Sequence, residues 1–423
     1  MLDLSSAMKL GAYIQVPFCR TKCTYCNFHT GVFPQGMYAP YVDAVVREIT
    51  EHRALHLASG VAQGKSRSFG PENGPLDDKL RELANAGKND GRAILDAAIV
   101  DTVYIGGGTP SLLEAAALAR IMDALRASFA CALEEVTLEA DPETITREKV
   151  EGWRAAGINR ISLGSQSFND KELSAAGRLH RREDIFAADK ALRAAGIGNI
   201  SFDLIAGLPH QTAESWLASV DELLALHPEH ISIYMLEIDE GSRLGRESLA
   251  GGARYSALAI PEDDAIADFY EHACERLAAA GYEHYEISNW ARPGLQSQHN
   301  LKYWKREPYF GFGAGAHSFD GAMRWANAHD PAEYTAALSS GRLPAEQLEA
   351  IGAQQSLDEE LFLGLRLAEG IRVAELEARY YVPLEARLSG LMERGLIERY
   401  DGRVRLSPGR IAVSNEVFVE LIS

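Results

Sequence analysis

Three cysteines, Cys19, Cys23 and Cys26, stand at C-x3-C-x2-C spacing directly after an apolar run, Ala12–Val16, that reads as a β-strand. Thiolates are soft ligands suited to iron–sulfur clusters. A four-iron cluster held by three cysteines keeps one iron without a protein ligand, and that iron can take a small molecule. Structural zinc is the competing chemistry, but it asks for four ligands and commonly brings a second cysteine pair. The remaining cysteines, Cys131 and Cys274, stand alone in stretches that read as helical and suit buried thiols. His29 could complete a zinc set, so the loop alone leaves both metals open. Five cysteines in 423 residues do not make a disulfide framework.

A second motif, Gly106-Gly-Gly-Thr-Pro-Ser111, follows the strand-like Thr102–Ile105. Glycines there let the backbone approach a ligand and adopt dihedrals closed to other residues. Later strand-like runs end in polar residues: Glu139 after Leu138, Gln166 in Gly164-Ser-Gln-Ser-Phe168, and Asp203 inside Ile200–Ile205. A charge in an apolar strand is costly unless paired or bonded to a ligand. Arg178, from Gly177-Arg-Leu-His180, is the expected partner of Asp203. Polar strand ends of a parallel barrel converge on its carboxyl-terminal mouth.

The elements that must position these residues are regular. Apolar runs at Ala12–Val16, Thr102–Ile105, Glu135–Leu138, Arg160–Leu163, Ile200–Ile205 and His230–Met235 read as strands. Amphipathic segments at Tyr41–His52, Ala115–Phe129, Arg147–Ala156, Asp184–Ala195 and Ala213–Leu226 read as the helices between them. This alternation predicts an α/β fold with a parallel sheet, either a partial (βα)6 barrel or a doubly wound sheet. A Gly-, Ser- and Asn-rich stretch over 58–90 reads as a surface insertion. Past about Gly241 the alternation stops. Pro261–Ala280 reads as a helix, and an aromatic, glycine-rich stretch runs from Tyr282 to Phe319. Near the end, helix Ala386–Arg394, strands Leu396–Arg399 and Val404–Leu406 around Asp401-Gly402, and a terminal helix form a winged-helix-like α+β module. The expected organisation is a barrel over 1–240, a connecting region over 241–350 and a C-terminal domain over 351–423.

Formal net charge of −18 disfavours a nucleic-acid partner, so a lid or structural role is expected for the winged-helix-like module. No segment approaches the eighteen or so apolar residues of a membrane span, and the first residues lack a signal-peptide layout. A reducing cytoplasmic setting is expected.

Taken together, the cysteine loop, Gly106–Ser111, Glu139-Ala-Asp-Pro142, Gly164–Phe168, Gly177–His180 and Asp203-Leu-Ile-Ala-Gly-Leu-Pro209 resemble the HemN/HemW branch of the radical SAM superfamily, over nearly the whole chain. The resemblance implies a partial TIM-like barrel covered by the C-terminal domain. It implies a 4Fe–4S cluster on Cys19, Cys23 and Cys26, with S-adenosylmethionine contacted by Tyr13, Gly107, Gly108, Thr109, Glu139, Gln166, Arg178 and Asp203. Gly107 and Gly108 are expected to offer both carbonyls and amides to its methionine end. The coproporphyrinogen III oxidases of the branch usually carry a further cysteine where this chain has Phe28, and a longer N-terminal segment. Both departures, and the H-N-x-x-Y-W motif at His299–Trp304, resemble the HemW-type haem chaperones. That implies haem as cargo, haem-accepting proteins such as respiratory enzymes as partners, and a role for cluster and cosubstrate in transfer or dimerisation. The alternative is a coproporphyrinogen III oxidase; a radical enzyme acting on haem itself is a third reading. His299, beside Tyr303 and Trp304, is the candidate haem ligand, set against a histidine that fastens the C-terminal region to the barrel. His317 and His284 are weaker candidates.

Overall fold

The computed structural model describes residues 8–59 and 98–422. All but the first two residues of the insertion read at 58–90 lie outside them. The first half is a succession of strands and helices: β1 (Lys9–Val16), α1 (Tyr38–Ser59), β2 (Ile99–Gly107), α2 (Ala115–Ser128), β3 (Ala130–Ala140), α3 (Arg147–Ala156), β4 (Arg160–Gln166), α4 (Asp170–Ala175), α5 (Arg182–Ala194), β5 (Asn199–Ala206), α6 (Ala213–Ala225) and β6 (His230–Met235). The local signals are ordinary ones. Helix α3 starts at Thr146, whose side chain accepts from the Lys149 amide, and stops at Gly157 with φ 96°.

Strands β1 to β6 pair in parallel and in chain order. A doubly wound sheet would reverse strand order at its middle. Here every crossover steps the same way, which makes the sheet an arc of a barrel. Alternation along the strands divides two environments. Ile14, Val103, Ile105, Val136, Leu138, Ile161, Leu163, Phe202 and Ile231 belong to the apolar core. The alternate positions, including Tyr13, Gln15, Thr102, Tyr104, Thr137, Glu139, Ser162, Asp203 and Ser232, make a polar barrel interior. Such a lining holds only if its groups find partners.

The stretch after 241 adds six short strands to the sheet, with helices between them. After α7 (Arg243–Leu249) and α8 (Asp263–Ala279), β7 (Glu283–Glu286) and β8 (Asn289–Ala291) extend the sheet antiparallel beyond β6. Helix α9 (Gln298–Trp304) follows. Then β9 (Tyr309–Phe312) pairs in parallel with β1, and β10 (His317–Phe319), β11 (Met323–Asn327), α10 (Pro331–Ser339) and β12 (Ala345–Ala350) complete a twelve-stranded sheet. Two expectations need correction. Cys131 opens β3 instead of lying in a helix, and it and Cys274 are half-buried.

The C-terminal module has its own core around Leu361, Leu365, Leu388, Leu391, Val404 and Val417. It comprises α11 (Ala353–Arg366), α12 (Val373–Tyr380), α13 (Glu385–Glu393), the hairpin β13 (Ile397–Tyr400) and β14 (Arg403–Leu406), and α14 (Ser414–Ile422). Asp401 and Gly402 both have positive φ, 48° and 72°, as a two-residue hairpin turn requires. Arg306 and Arg324 grip Glu359 at 2.8 and 2.9 Å, and the Arg366 guanidinium lies 4.5 Å over the Trp304 ring. These contacts seat the module on the sheet.

Candidate functional site

The cysteine loop leaves β1 at the barrel's carboxyl-terminal mouth. Its backbone is tied down at both ends: the Gly31 amide donates to Pro17 O (3.0 Å), the Cys19 amide to Gly31 O (2.8 Å), and the Thr24 amide to Ala176 O (3.0 Å). All three thiols are free and half-buried. Burial pushes the Cys19 thiol up to about 11.

The glycine run is packed against this loop. A Cβ on Gly107, whose φ is 112°, would sit 2.5 Å from Gln15 Nε2; one on Gly108 would sit 2.6 Å from Phe18 O and 3.0 Å from Cys19 Sγ. The Gly108 amide donates to Val16 O and the Thr109 amide to Phe18 O, both at 2.7 Å. Only glycines fit this apposition, so the two motifs share one piece of backbone geometry. The Gly107 amide donates to Glu139 Oε2 at 2.9 Å. Both amides expected to meet a ligand are therefore engaged inside the protein, and the carbonyls are what the run can offer.

Glu139 also accepts from the Tyr104 hydroxyl at 2.9 Å, and burial pushes its carboxyl up to about 7. Thr109 Oγ1 donates to Asp141 at 3.1 Å. Gln166 ends β4 with φ 62°, a left-handed backbone that costs energy outside glycine. The expected pairing of Arg178 with Asp203 is not formed. Arg178, half-buried, donates to Asp141, to Gly164 O (2.9 Å) and to Cys23 Sγ (3.5 Å). Asp203 instead accepts from Ser162 Oγ (3.0 Å) and Ser201 Oγ (3.2 Å), and burial pushes its pKa up. Strand register explains this: Ser162 and Ser201 are opposite each other on β4 and β5, so their hydroxyls flank the carboxylate.

These residues border a cavity of about 520 Å³, within the range of small-molecule sites. Its lining includes the three cysteines, Gly107, Gly108, Thr109, Glu139, Gln166, Arg178 and Asp203. It also includes Tyr104, Asp141, Arg160, Tyr234 and, from the C-terminal module, Arg366, Ser414 and Asn415, none of which the sequence singled out. Asp141 could have been found, since it follows Glu139 at the end of β3, and Tyr234, since it stands near the carboxyl end of β6 as the chosen residues do on β3 to β5. Arg366 carries no sequence signal, because only the docking of the module brings it there.

Tyr13 and His299 do not reach the lining. Tyr13 donates to Gln15 Oε1 at 2.6 Å and stacks on Tyr104. His299 is 0% exposed, with Nδ1 3.0 Å from Thr102 Oγ1 and Nε2 2.9 Å from the Tyr303 hydroxyl. Burial, with Lys302 and Arg160 nearby, lowers its pKa to about 3. Glu135 accepts from the Gln298 and His299 amides at 2.9 and 3.0 Å, a carboxylate at a helix N-terminus. The geometry fits the fastening reading of His299: both ring nitrogens lie within hydrogen-bond distance of hydroxyls in a sealed floor, and an iron there would have to displace them. His284 is likewise occupied, stacked on Trp290 at 4.2 Å.

Among the described residues no three His, Cys, Asp or Glu side chains converge to cage a single ion. His29, the fourth ligand a zinc reading would need, lies against the His329 ring at 4.1 Å. A cluster asks something different, since each thiolate takes its own iron. The loop, the side-chain-free glycine cradle and Arg178 on Cys23 suit that group. No helix among the described residues is long and apolar enough to cross a membrane.

A barrel arc carrying a three-cysteine loop and glycine cradle at one mouth defines the radical SAM class. The pattern of the Radical SAM superfamily matches residues 13–223, and that of the HemN C-terminal domain matches 353–409. Heme chaperone HemW of Mycobacterium tuberculosis (strain H37Rv) is 36% identical over 94% of this chain and 90% of its own length. Heme chaperone HemW of Bacillus subtilis is 31% identical over 96% and 97%. The chain belongs to the HemW family of radical SAM proteins. In fold it is similar to the coproporphyrinogen III oxidase HemN of Escherichia coli, with a TM-score of 0.75 at 20% identity, covering 99% of this chain and 90% of that one.

Proposed function

We propose that this chain is a haem chaperone that holds a 4Fe–4S cluster on Cys19, Cys23 and Cys26, binds S-adenosylmethionine in the barrel mouth, and passes haem to acceptor proteins such as respiratory enzymes. The observation that carries the reading is the single cavity shared by the three cysteines, the glycine cradle, Glu139, Arg178 and Asp203. The similarity to HemW chaperones over nearly their whole length supports the haem side of it. When bound, the cluster supplies an electron and an open iron for the methionine end of the cosubstrate.

The protein's own groups then have distinct tasks. Glu139, steered by Gly107 and Tyr104, presents a carboxylate to an ammonium. Asp203, set between Ser162 and Ser201, accepts hydroxyl donors from a ribose. Arg178 orients Cys23 and Asp141 at once. In this reading residues 1–240 supply the barrel, 241–350 the edge strands and the motif helix, and 351–423 a lid that lends Arg366, Ser414 and Asn415 to the cavity. The proposed setting is the cytoplasm, with a homodimer as an arrangement that sedimentation would test.

The test is an anaerobically reconstituted, cluster-loaded sample given reductant, S-adenosylmethionine and coproporphyrinogen III, alongside a known oxidase. No protoporphyrinogen is expected. Protoporphyrinogen over many turnovers would make the chain a decarboxylase.

A further inference from the structure

With His299 sealed in the barrel floor and hydrogen-bonded at both ring nitrogens, a haem iron has to take its ligand from another surface. Outside the cavity, three histidines gather beside the cysteine loop. His29 and His329 have ring centroids 4.1 Å apart. His317, exposed on β10, is near enough to both to lower its pKa, after burial. His329 Nδ1 is buried and has no hydrogen-bond partner among the described residues. On the same loop as His29, Phe28 and Val32 are 67% and 62% exposed, although both are large and apolar. The Lys22 ammonium, which also borders the cavity, donates to Phe28 O at 3.4 Å.

The scaffold under this face is rigid. Glu48 accepts from the Gly313 amide (2.9 Å), Asn327 Nδ2 (2.7 Å) and the Tyr334 hydroxyl (2.6 Å), all buried. The Gly315 amide donates to Ala328 O at 2.9 Å, which fixes the backbone just before His329. On the other side, the Thr30 amide donates to Phe28 O at 2.8 Å.

We propose that this face is the haem-docking site, with the His29–His329 pair supplying an imidazole to the iron, Phe28 and Val32 covering the macrocycle, and Lys22 meeting a propionate. The proposal rests on the haem-chaperone reading and gives it a place. The donor geometry selects the ligand class. The histidines do not converge to cage a bare ion, whereas iron in a porphyrin already has four nitrogens and needs only one or two more. Burial, and for His29 the nearby His329 and Lys22, hold His29 and His317 below the ordinary imidazole range. They are therefore neutral and free to ligate at neutral pH. Exposed apolar side chains beside ligating nitrogens offer a flat macrocycle something to cover. Phe28 also lines the rim of the cavity, so cargo here would touch the cluster loop directly.

The test is titration of the full, cluster-loaded chain with haemin, read by the Soret band, for wild type, H29A/H329A and F28S. Cluster absorbance serves as the fold control. The expected result is stoichiometric haem in wild type, at least tenfold weaker binding with a shifted Soret band in H29A/H329A, and weaker binding with an unshifted band in F28S. Wild-type binding that H29A/H329A leaves unchanged in affinity and spectrum would overturn the site but keep the chaperone. No haem bound by wild type would overturn the chaperone reading itself. Zinc binding to the same pair at least as tightly as haemin would overturn the ligand class.

Discussion

At the barrel's mouth, Glu139, Arg178 and Asp203 border open space, whereas at its floor Glu135, His299 and Lys302 are closed in with every main partner supplied by the protein. Both regions belong to one polar barrel interior, and both carry sequence motifs of the kind that bind ligands. At the mouth, burial pushes both carboxyls up, Glu139 to about 7, and leaves Glu139 open to an ammonium and Asp203 to hydroxyl donors. At the floor, a lysine on Asp101 and a helix N-terminus on Glu135 already supply the positive charge. A polar residue inside a barrel becomes a binding residue where the protein has not already supplied its counter-group.

The strongest way to break this comparison is at the mouth. Cys19→Ala should abolish the visible absorbance of the reconstituted cluster, with the fold intact by circular dichroism; a retained cluster would mean that Cys19 is not a ligand. Next in size comes the floor. Glu135→Ala strips α9 of its N-terminal carboxylate and leaves Arg160, 4.0 Å away, without its counter-charge. Denaturant unfolding should show a loss of roughly 3–5 kcal/mol, while folded protein keeps its affinity for S-adenosylmethionine.

The third prediction concerns pH. Glu139 has a folded pKa of about 7, above its usual 4.5. The folded, ligand-free protein thus holds a proton that the unfolded chain releases. The associated stability is fully present below about 4.5 and is lost as pH rises through 7, by up to roughly 3 kcal/mol. Glu48, also raised to about 7 by burial, adds a loss of the same sign. His299, lowered to about 3, works the other way and adds stability as pH rises toward 6.5. Glu139→Gln should therefore remove the part of the decline above pH 5 that belongs to Glu139 in denaturation series from pH 5 to 8. An unchanged slope would show that Glu139 is ionised in the free protein. The smallest effect expected is at Arg178. Lysine there keeps the charge but not the fork that spans Asp141, Gly164 O and Cys23, and S-adenosylmethionine affinity should fall about tenfold by calorimetry.

The barrel was legible because its signals are local. Most strand and helix limits from β1 to β6 lie within about three residues of the runs read, although β3 opens well before Glu135, α1 runs on past His52 to Ser59 and the short α4 was not read. Helix α3 ends at Gly157 for a reason visible in one residue. The two backbone motifs were legible as well, since glycine and cysteine types alone set what they can do. What escaped was set by distance in space. Which acid Arg178 would meet depends on a loop crossing between strands, and Asp141 won over Asp203 because serines on neighbouring strands had already surrounded the latter. The six strands β7–β12 are short and depend on pairing with β6 and β1, so they left little periodicity to read. His299 was visible as a residue, but its burial came from Glu135 and Thr102, far earlier in the chain.

The most direct measurement is a haemin titration of the cluster-loaded chain, with and without saturating S-adenosylmethionine. Two separate sites predict stoichiometric haem in both series, with affinities within about threefold of each other. Absence of haem binding, or full displacement of haem by S-adenosylmethionine, would contradict a chaperone that keeps its cosubstrate in the mouth and its cargo outside.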